Sequence, residues 1–151
     1  MIIENAKKHH VPLFTPMAQM FYDEFSPPGG VDKDRFQANW ENWMDAGFAV
    51  ACVLMDGEKC VGAVGGLMVE AANDGELEAN EMFWYVMPDY RKSGMGMRLL
   101  ERWEDACRMR GAKRISMISL VAGAHGRQVA RWLEQRGYRP VEIHYYRDLE
   151  S

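Results

Sequence analysis

The stretch Arg91-Lys92-Ser93-Gly94-Met95-Gly96 brings two cations, a hydroxyl and two glycines to the point where a β-prone run, Glu81 to Val86, gives way to a helical stripe. Glycine at such a point lets the backbone approach a ligand closely. The first N–H groups of a helix have no partner inside it, and with the helix dipole they form an anion site. Arg91 and Lys92 add positive charge and Ser93 adds a donor, so the turn has the chemistry of a pyrophosphate cradle. A plain strand-to-helix connection is the competing reading of the same residues. Two other phosphate motifs are excluded: G-x-x-x-x-G-K-[ST] is absent, and a dinucleotide fingerprint needs a third glycine where Leu99 stands. Gly62, Gly65 and Gly66 also lie close together, but another strand follows them, so they read as a close-packed strand or bulge.

Such a turn needs a strand before it and a helix after it, and the hydrophobic period supplies both. Met95, Leu99, Leu100, Trp103, Ala106 and Cys107 recur at helical spacing, closed by Gly111. Upstream, residues 1–6 predict a short strand. Leu13, Met17, Met20, Phe21 and Phe25 predict a helix that starts near Pro16, and Phe36, Trp40, Trp43 and Met44 a second from about Asp32 to Gly47. Strands follow over 48–55 and 60–69 around the Asp56-Gly57 turn, then over 81–86. Beyond the stripe, 114–121 reads as a buried strand, 125–136 as a helix closed by Gly137, and 138–149 as one or two final strands. The twelve methionines and five tryptophans fall mostly on core positions of these elements. The order β-α-α-β-β-β-α-β-α-β implies an α/β (α+β) mixed sheet with helices on both faces.

Bulk properties agree with one globular domain over residues 1–151. Hydrophobic residues make up 48% and charged residues 26% of the chain. The net charge of −4 lacks the basic face of a nucleic-acid binder and suits a cationic partner such as an amine. Three cysteines without CxxC spacing argue against disulfides and zinc, and with no secretory signal they imply a cytoplasmic setting. No apolar run approaches the roughly 20 residues that span a bilayer.

The segment Val86-Met-Pro-Asp-Tyr-Arg91-Lys-Ser-Gly94-Met-Gly96-Met-Arg-Leu99-Leu100 resembles the cofactor motif [RQ]-x-x-G-x-[GA] of the Gcn5-related N-acetyltransferase (GNAT) superfamily. The element order and Gly137-Tyr138 after the last helix resemble the same family. Glu81-Met-Phe-Trp-Tyr-Val is similar to members often encoded by bacteriophages. The resemblance implies a mostly antiparallel sheet of six to seven strands, splayed between the fourth and fifth, with acetyl-CoA as cofactor. It places the pantetheine arm against the backbone at Val86 and Met87, and the pyrophosphate on Arg91, Lys92, Ser93, Gly94, Met95 and Gly96.

Acetyl transfer to an amine needs a base for the ammonium proton, and the departing thiolate benefits from a donor. Glu81 is the base expected, on the strand leading into the loop, where apolar neighbours would raise its pKa; Glu78 is the runner-up. Alternation groups Glu81 with Phe83 and Tyr85 on one face. Many members carry a tyrosine four residues before the Gly-aromatic pair, but here that position is Leu133. Tyr145 is favoured as the donor instead, with His144 and Tyr146 beside it. His9-His10 lacks metal-ligand partners, so no metal is expected. The function that follows is acetyl-CoA-dependent N-acetylation of a primary amine, small-molecule or peptide, with no nucleic-acid or membrane partner and with a homodimer as the assembly allowed for. A non-catalytic acyl-CoA-binding module and a purely structural phage protein are the alternatives.

Overall fold

The computed structural model describes residues 1–121 and 123–150. Two compact units divide the chain, Met1–Met117 and Ile118–Ser151.

In the first unit, β1 spans Ile2–Asn5, α1 Val11–Phe14, α2 Pro16–Phe25 and α3 Lys33–Asp45. Pro16 opens α2 at its first position, where a missing N–H costs nothing, and a short extra turn, α1, precedes it. The Asp32 side chain caps α3 by accepting the Arg35 N–H at 3.0 Å. Then come β2 (Ala49–Asp56), β3 (Lys59–Glu70) and β4 (Leu77–Val86), a 3-10 turn over Pro88–Ser93, α4 (Met95–Met109) and β5 (Arg114–Ser116).

The strands lie in the order β1-β2-β3-β4-β5. The first three pairings are antiparallel and β4–β5 is parallel. β2 is buried from Ala49 to Met55, as a central strand covered on both faces must be. Ala49, Ala51, Val53 and Met55 share one core with Val11, Phe14, Met17 and Trp40 from α1–α3. On the opposite face, α4 buries Leu99, Leu100, Trp103 and Cys107, and the Trp103 indole donates to the Val50 carbonyl at 2.8 Å. Cys52, Cys60 and Cys107 are free and buried, and desolvation pushes their thiols up to about 12, 11 and 12.

The glycine pair of β3 is a bulge: Gly65 pairs with Phe83 but Gly66 with Glu81, so Met82 is left over on β4. A Cβ on Gly65 would stand 2.7 Å from the Trp40 ring, and one on Gly66 would meet the Asn80 backbone and the Trp103 ring. Both glycines are therefore fixed by close approach, with their Cβ directions toward opposite faces.

In the second unit, α5 spans Gly123–Gln135 and buries Gly126, Val129 and Leu133. Gly137, at φ +93°, turns the chain out of it. The expected sheet of six to seven strands is corrected here to five, because residues 138–150 form no strand. Val141, Ile143, Tyr145 and Tyr146 are all exposed. A β-prone run becomes a strand only against a partner, and no strand pairs with it among the described residues. The strand expected over 114–121 likewise shrinks to three residues, and β4 begins four residues earlier than 81.

Candidate functional site

β5 accompanies β4 only along Glu78, Ala79 and Asn80. From Glu81 to Val86 the outer edge of β4 has no strand partner among the described residues, so the sheet is open there. The Met87 N–H donates to the Val61 carbonyl of β3 at 2.9 Å. Backbone groups alternate sides along a strand, so the Val86 N–H points away from β3, to the open side, and the groups of Trp84 do the same. Met87 is committed on both counts, since its carbonyl accepts the Tyr90 N–H at 2.9 Å.

The turn that follows is tied down at three points. The Tyr90 hydroxyl donates to Asp56 at 2.7 Å, on the β2–β3 hairpin, and this bond raises the phenol's pKa. Arg91 donates from Nε to the Val86 carbonyl at 2.8 Å and from Nη2 to Glu24 of α2 at 2.7 Å. Its guanidinium lies over the Tyr85 and Phe25 rings, 5.1 and 6.0 Å from their centroids. The ion pair with Glu24 raises its pKa further. Ser93 Oγ donates to the Tyr90 carbonyl at 2.7 Å and accepts the Met95 N–H at 3.3 Å.

Gly94 sits at the entrance of α4 at φ +75°, a conformation that favours glycine. Space beside its Cα is open, and a Cβ on Gly96 would meet only Val86, at 3.6 Å. The N–H groups of Gly96 and Met97 belong to the first turn of α4 and have no carbonyl partner within it. Lys92 is exposed, and no carboxylate pairs with it among the described residues. An open strand edge, a helix start lined by glycine and a free cation in succession fit a ligand with an amide-bearing arm and a phosphate group.

Glu81 is 6% exposed. The bulge changes its neighbours: opposite Gly66 it lies on the α4 face, whereas Phe83 and Tyr85 point to the α1–α3 face. The alternation that grouped the three is corrected by the extra residue, Met82. Glu78 is engaged by Arg114 at 3.1 Å, and Arg114 also forks onto Asp74 at 2.9 and 3.0 Å. Leu133 is buried in α5, while Tyr145 is 90% exposed and outside any strand. Trp40 belongs to the core, as its helical spacing implies. Sequence reasoning missed Glu24, which stands 67 positions from its partner Arg91 with nothing local to link them. It also missed the Tyr90–Asp56 tie, although both residues flank turns that it had identified. Among the described residues no group of side chains is arranged to hold a metal ion, and no helix is long and apolar enough to cross a membrane.

The same architecture occurs in solved acetyltransferases. A predicted acetyltransferase with acetyl-CoA from Clostridium acetobutylicum superposes with a TM-score of 0.77 at 14% identity, over 97% of this chain and 95% of that one. An aminoglycoside acetyltransferase from an uncultured soil metagenomic sample, in complex with sisomicin, gives 0.76 at 16% identity over 99% and 96%. Glucosamine-6-phosphate N-acetyltransferase from Arabidopsis thaliana gives 0.72 at 14% over 99% and 98%. At these identities the likeness is one of fold. No curated protein matches the sequence at a significant level. The sequence itself matches the acetyltransferase (GNAT) family over residues 15–138. The chain therefore belongs to the GNAT acetyltransferase family, whose cofactor is acetyl-CoA.

Proposed function

We propose that this protein transfers the acetyl group of acetyl-CoA to a primary amine. The observation that carries the reading is the open edge of β4 leading, through the tied turn over Pro88–Ser93, to the glycine-lined start of α4. Acetyl-CoA supplies the thioester, whose C–S bond breaks as the C–N bond to the amine forms. The chain's own groups do the rest. The N–H of Val86 and the backbone of Trp84 present an unpaired edge to an amide-bearing arm, with Met87 lining its end. Gly94, Met95 and Gly96 bring the first N–H groups of α4 to the pyrophosphate, Ser93 orders the turn, Lys92 adds charge, and Arg91 braces the loop through the Val86 carbonyl and Glu24. Glu81, held in a buried position on β4, accepts the ammonium proton before attack. Tyr145 is assigned to the thiolate's proton on sequence grounds, since Leu133 has no proton to give.

The acceptor class is an amine, small-molecule or peptide; the resemblance in fold to an aminoglycoside acetyltransferase makes polycationic amines the first to try. The family match runs across both units, which supports reading residues 1–151 as one domain. Three buried free thiols suit the cytoplasm. The test is release of CoA from acetyl-CoA in the presence of an amine panel of polyamines, aminoglycosides, amino acids and peptides. Amine-dependent release supports the reading. Acetyl-CoA binding without release for any amine replaces it with the non-catalytic acyl-CoA-binding module.

A further inference from the structure

Arg91 opens the cofactor motif, yet its guanidinium is spent elsewhere. One arm holds the Val86 carbonyl at 2.8 Å, another the Glu24 carboxylate at 2.7 Å, and two aromatic rings flank it. The peptide between Val86 and Met87 is thereby fixed from both sides, since its N–H is already held by Val61 at 2.9 Å. That peptide joins the open strand edge to the turn, so its orientation sets both. Glu24 belongs to the last turn of α2, and the pair is only about one-third exposed, at 30% and 28%. A guanidinium neutralised and oriented in this way is a fixed strut. Lys92, next in sequence and unpaired among the described residues, is the cation free to meet a phosphate.

We propose that Arg91 is a positioning residue rather than a phosphate ligand: clamped by Glu24, it sets the Val86–Met87 peptide and the entry to the cofactor loop, and Lys92 supplies the side-chain charge for the pyrophosphate. This rests on the acetyltransferase reading. It goes beyond that reading by giving α2, through Glu24, control of cofactor affinity.

The test is calorimetric titration of the full-length chain with acetyl-CoA, at low and high salt, after thermal unfolding has shown each variant to be folded. Glu24→Gln and Arg91→Gln should each weaken binding by about 5–10-fold, a modest displacement by the standards of misplaced binding groups. The double variant should be no weaker than the worse single one, because the two residues act through one contact. Arg91→Lys, which keeps the charge but cannot span both partners, should fall between. Lys92→Gln should reduce the salt dependence of affinity, while Arg91→Gln should leave it unchanged. A purely structural pair would shift the unfolding midpoint without moving the affinity of the folded protein, and that result overturns the proposal. So does tighter binding in Glu24→Gln, which would mean that Arg91 is a phosphate ligand held back by its partner. Should Arg91→Gln fail to fold, Glu24→Gln and Arg91→Lys decide the matter by the same criteria. Wild-type protein that does not bind acetyl-CoA would overturn the acetyltransferase reading itself, and the clamp with it.

Discussion

Substituting Gly66 by alanine adds one methyl group at the bulge, and the structure says where it would go. The new Cβ would stand 2.8 Å from the Asn80 carbonyl carbon and 2.8 Å from Cζ2 of Trp103, with the Asn80 oxygen nearer still. Neither neighbour can yield cheaply: one is backbone inside a ladder, the other a fully buried ring hydrogen-bonded to Val50. Overpacking of a well-filled core costs about 1–3 kcal/mol, and with backbone in the way the upper end applies. At about 2–4 °C per kcal/mol for a chain of this length, the midpoint should fall by about 6–12 °C. Gly30→Ala is the matched control, with ordinary backbone angles and nothing within 4 Å of its Cβ, and it should stay within about 0.5 kcal/mol of wild type. Thermal or urea unfolding of the three proteins makes the comparison. Because Gly66 also sets the face on which Glu81 emerges, folded Gly66→Ala should lose more acetyl transfer than acetyl-CoA affinity. A midpoint within 2 °C of wild type would refute both the packing argument and the register assigned to the bulge.

Gly94→Val puts a β-branched residue at φ +75°, a conformation costing roughly 1–2 kcal/mol outside glycine; acetyl-CoA should bind at least about tenfold more weakly, at one decade per 1.4 kcal/mol, and equal affinity in the folded variant would remove the loop's assignment. Wild-type kcat/KM should rise with pH through one apparent pKa, and Glu81→Gln should abolish that limb with a loss of about 10²–10⁴ in rate; an unchanged profile transfers the role away from Glu81. Tyr145→Phe should lower kcat about tenfold, the low end for a general acid, with acetyl-CoA affinity intact, and an unaltered kcat leaves the thiolate's proton to solvent. Asp74 is held at about 2, below its ordinary 3.8, chiefly by hydrogen bonds from Arg114. A depressed carboxyl stabilises the fold above its unfolded value and ceases to do so as pH falls through the folded one. Asp74→Asn should therefore flatten the loss of stability between about pH 4 and 2, and identical slopes in acid unfolding would contradict that.

The elements that follow from local pattern were legible before any coordinates. Pro16 sets the start of α2, Asp56-Gly57 closes the β2–β3 hairpin, the Leu99–Trp103–Cys107 stripe is buried as its spacing demands, and the glycines of β3 form a bulge. What escaped depends on partners distant in sequence. The polar stretch before Glu81, with Glu78 and Asn80, lies outside the expected strand but belongs to β4, because Ala79 turns inward while Arg114 neutralises Glu78 outside. Alternation misplaced Glu81 because a bulge consumes one residue and inverts the phase beyond it. Arg91 was legible as a cation but not as half of an ion pair with α2. The period-two pattern of Val141, Ile143 and Tyr145 describes what a strand would need; it does not supply the neighbour.

The burial of all three thiols has a practical meaning for every experiment above. With ionisation pushed up to about 11–12, fewer than about one thiol in 10³ is thiolate at pH 8, and only the thiolate attacks electrophilic reagents. A colorimetric disulfide reagent added to a running assay therefore reports released CoA against a silent protein background. The same reagent, applied without substrate, becomes a clock for opening of the molecule: three equivalents appear only as fast as Cys52, Cys60 and Cys107 reach solvent. Turnover and unfolding can thus be followed by one absorbance, separated in time.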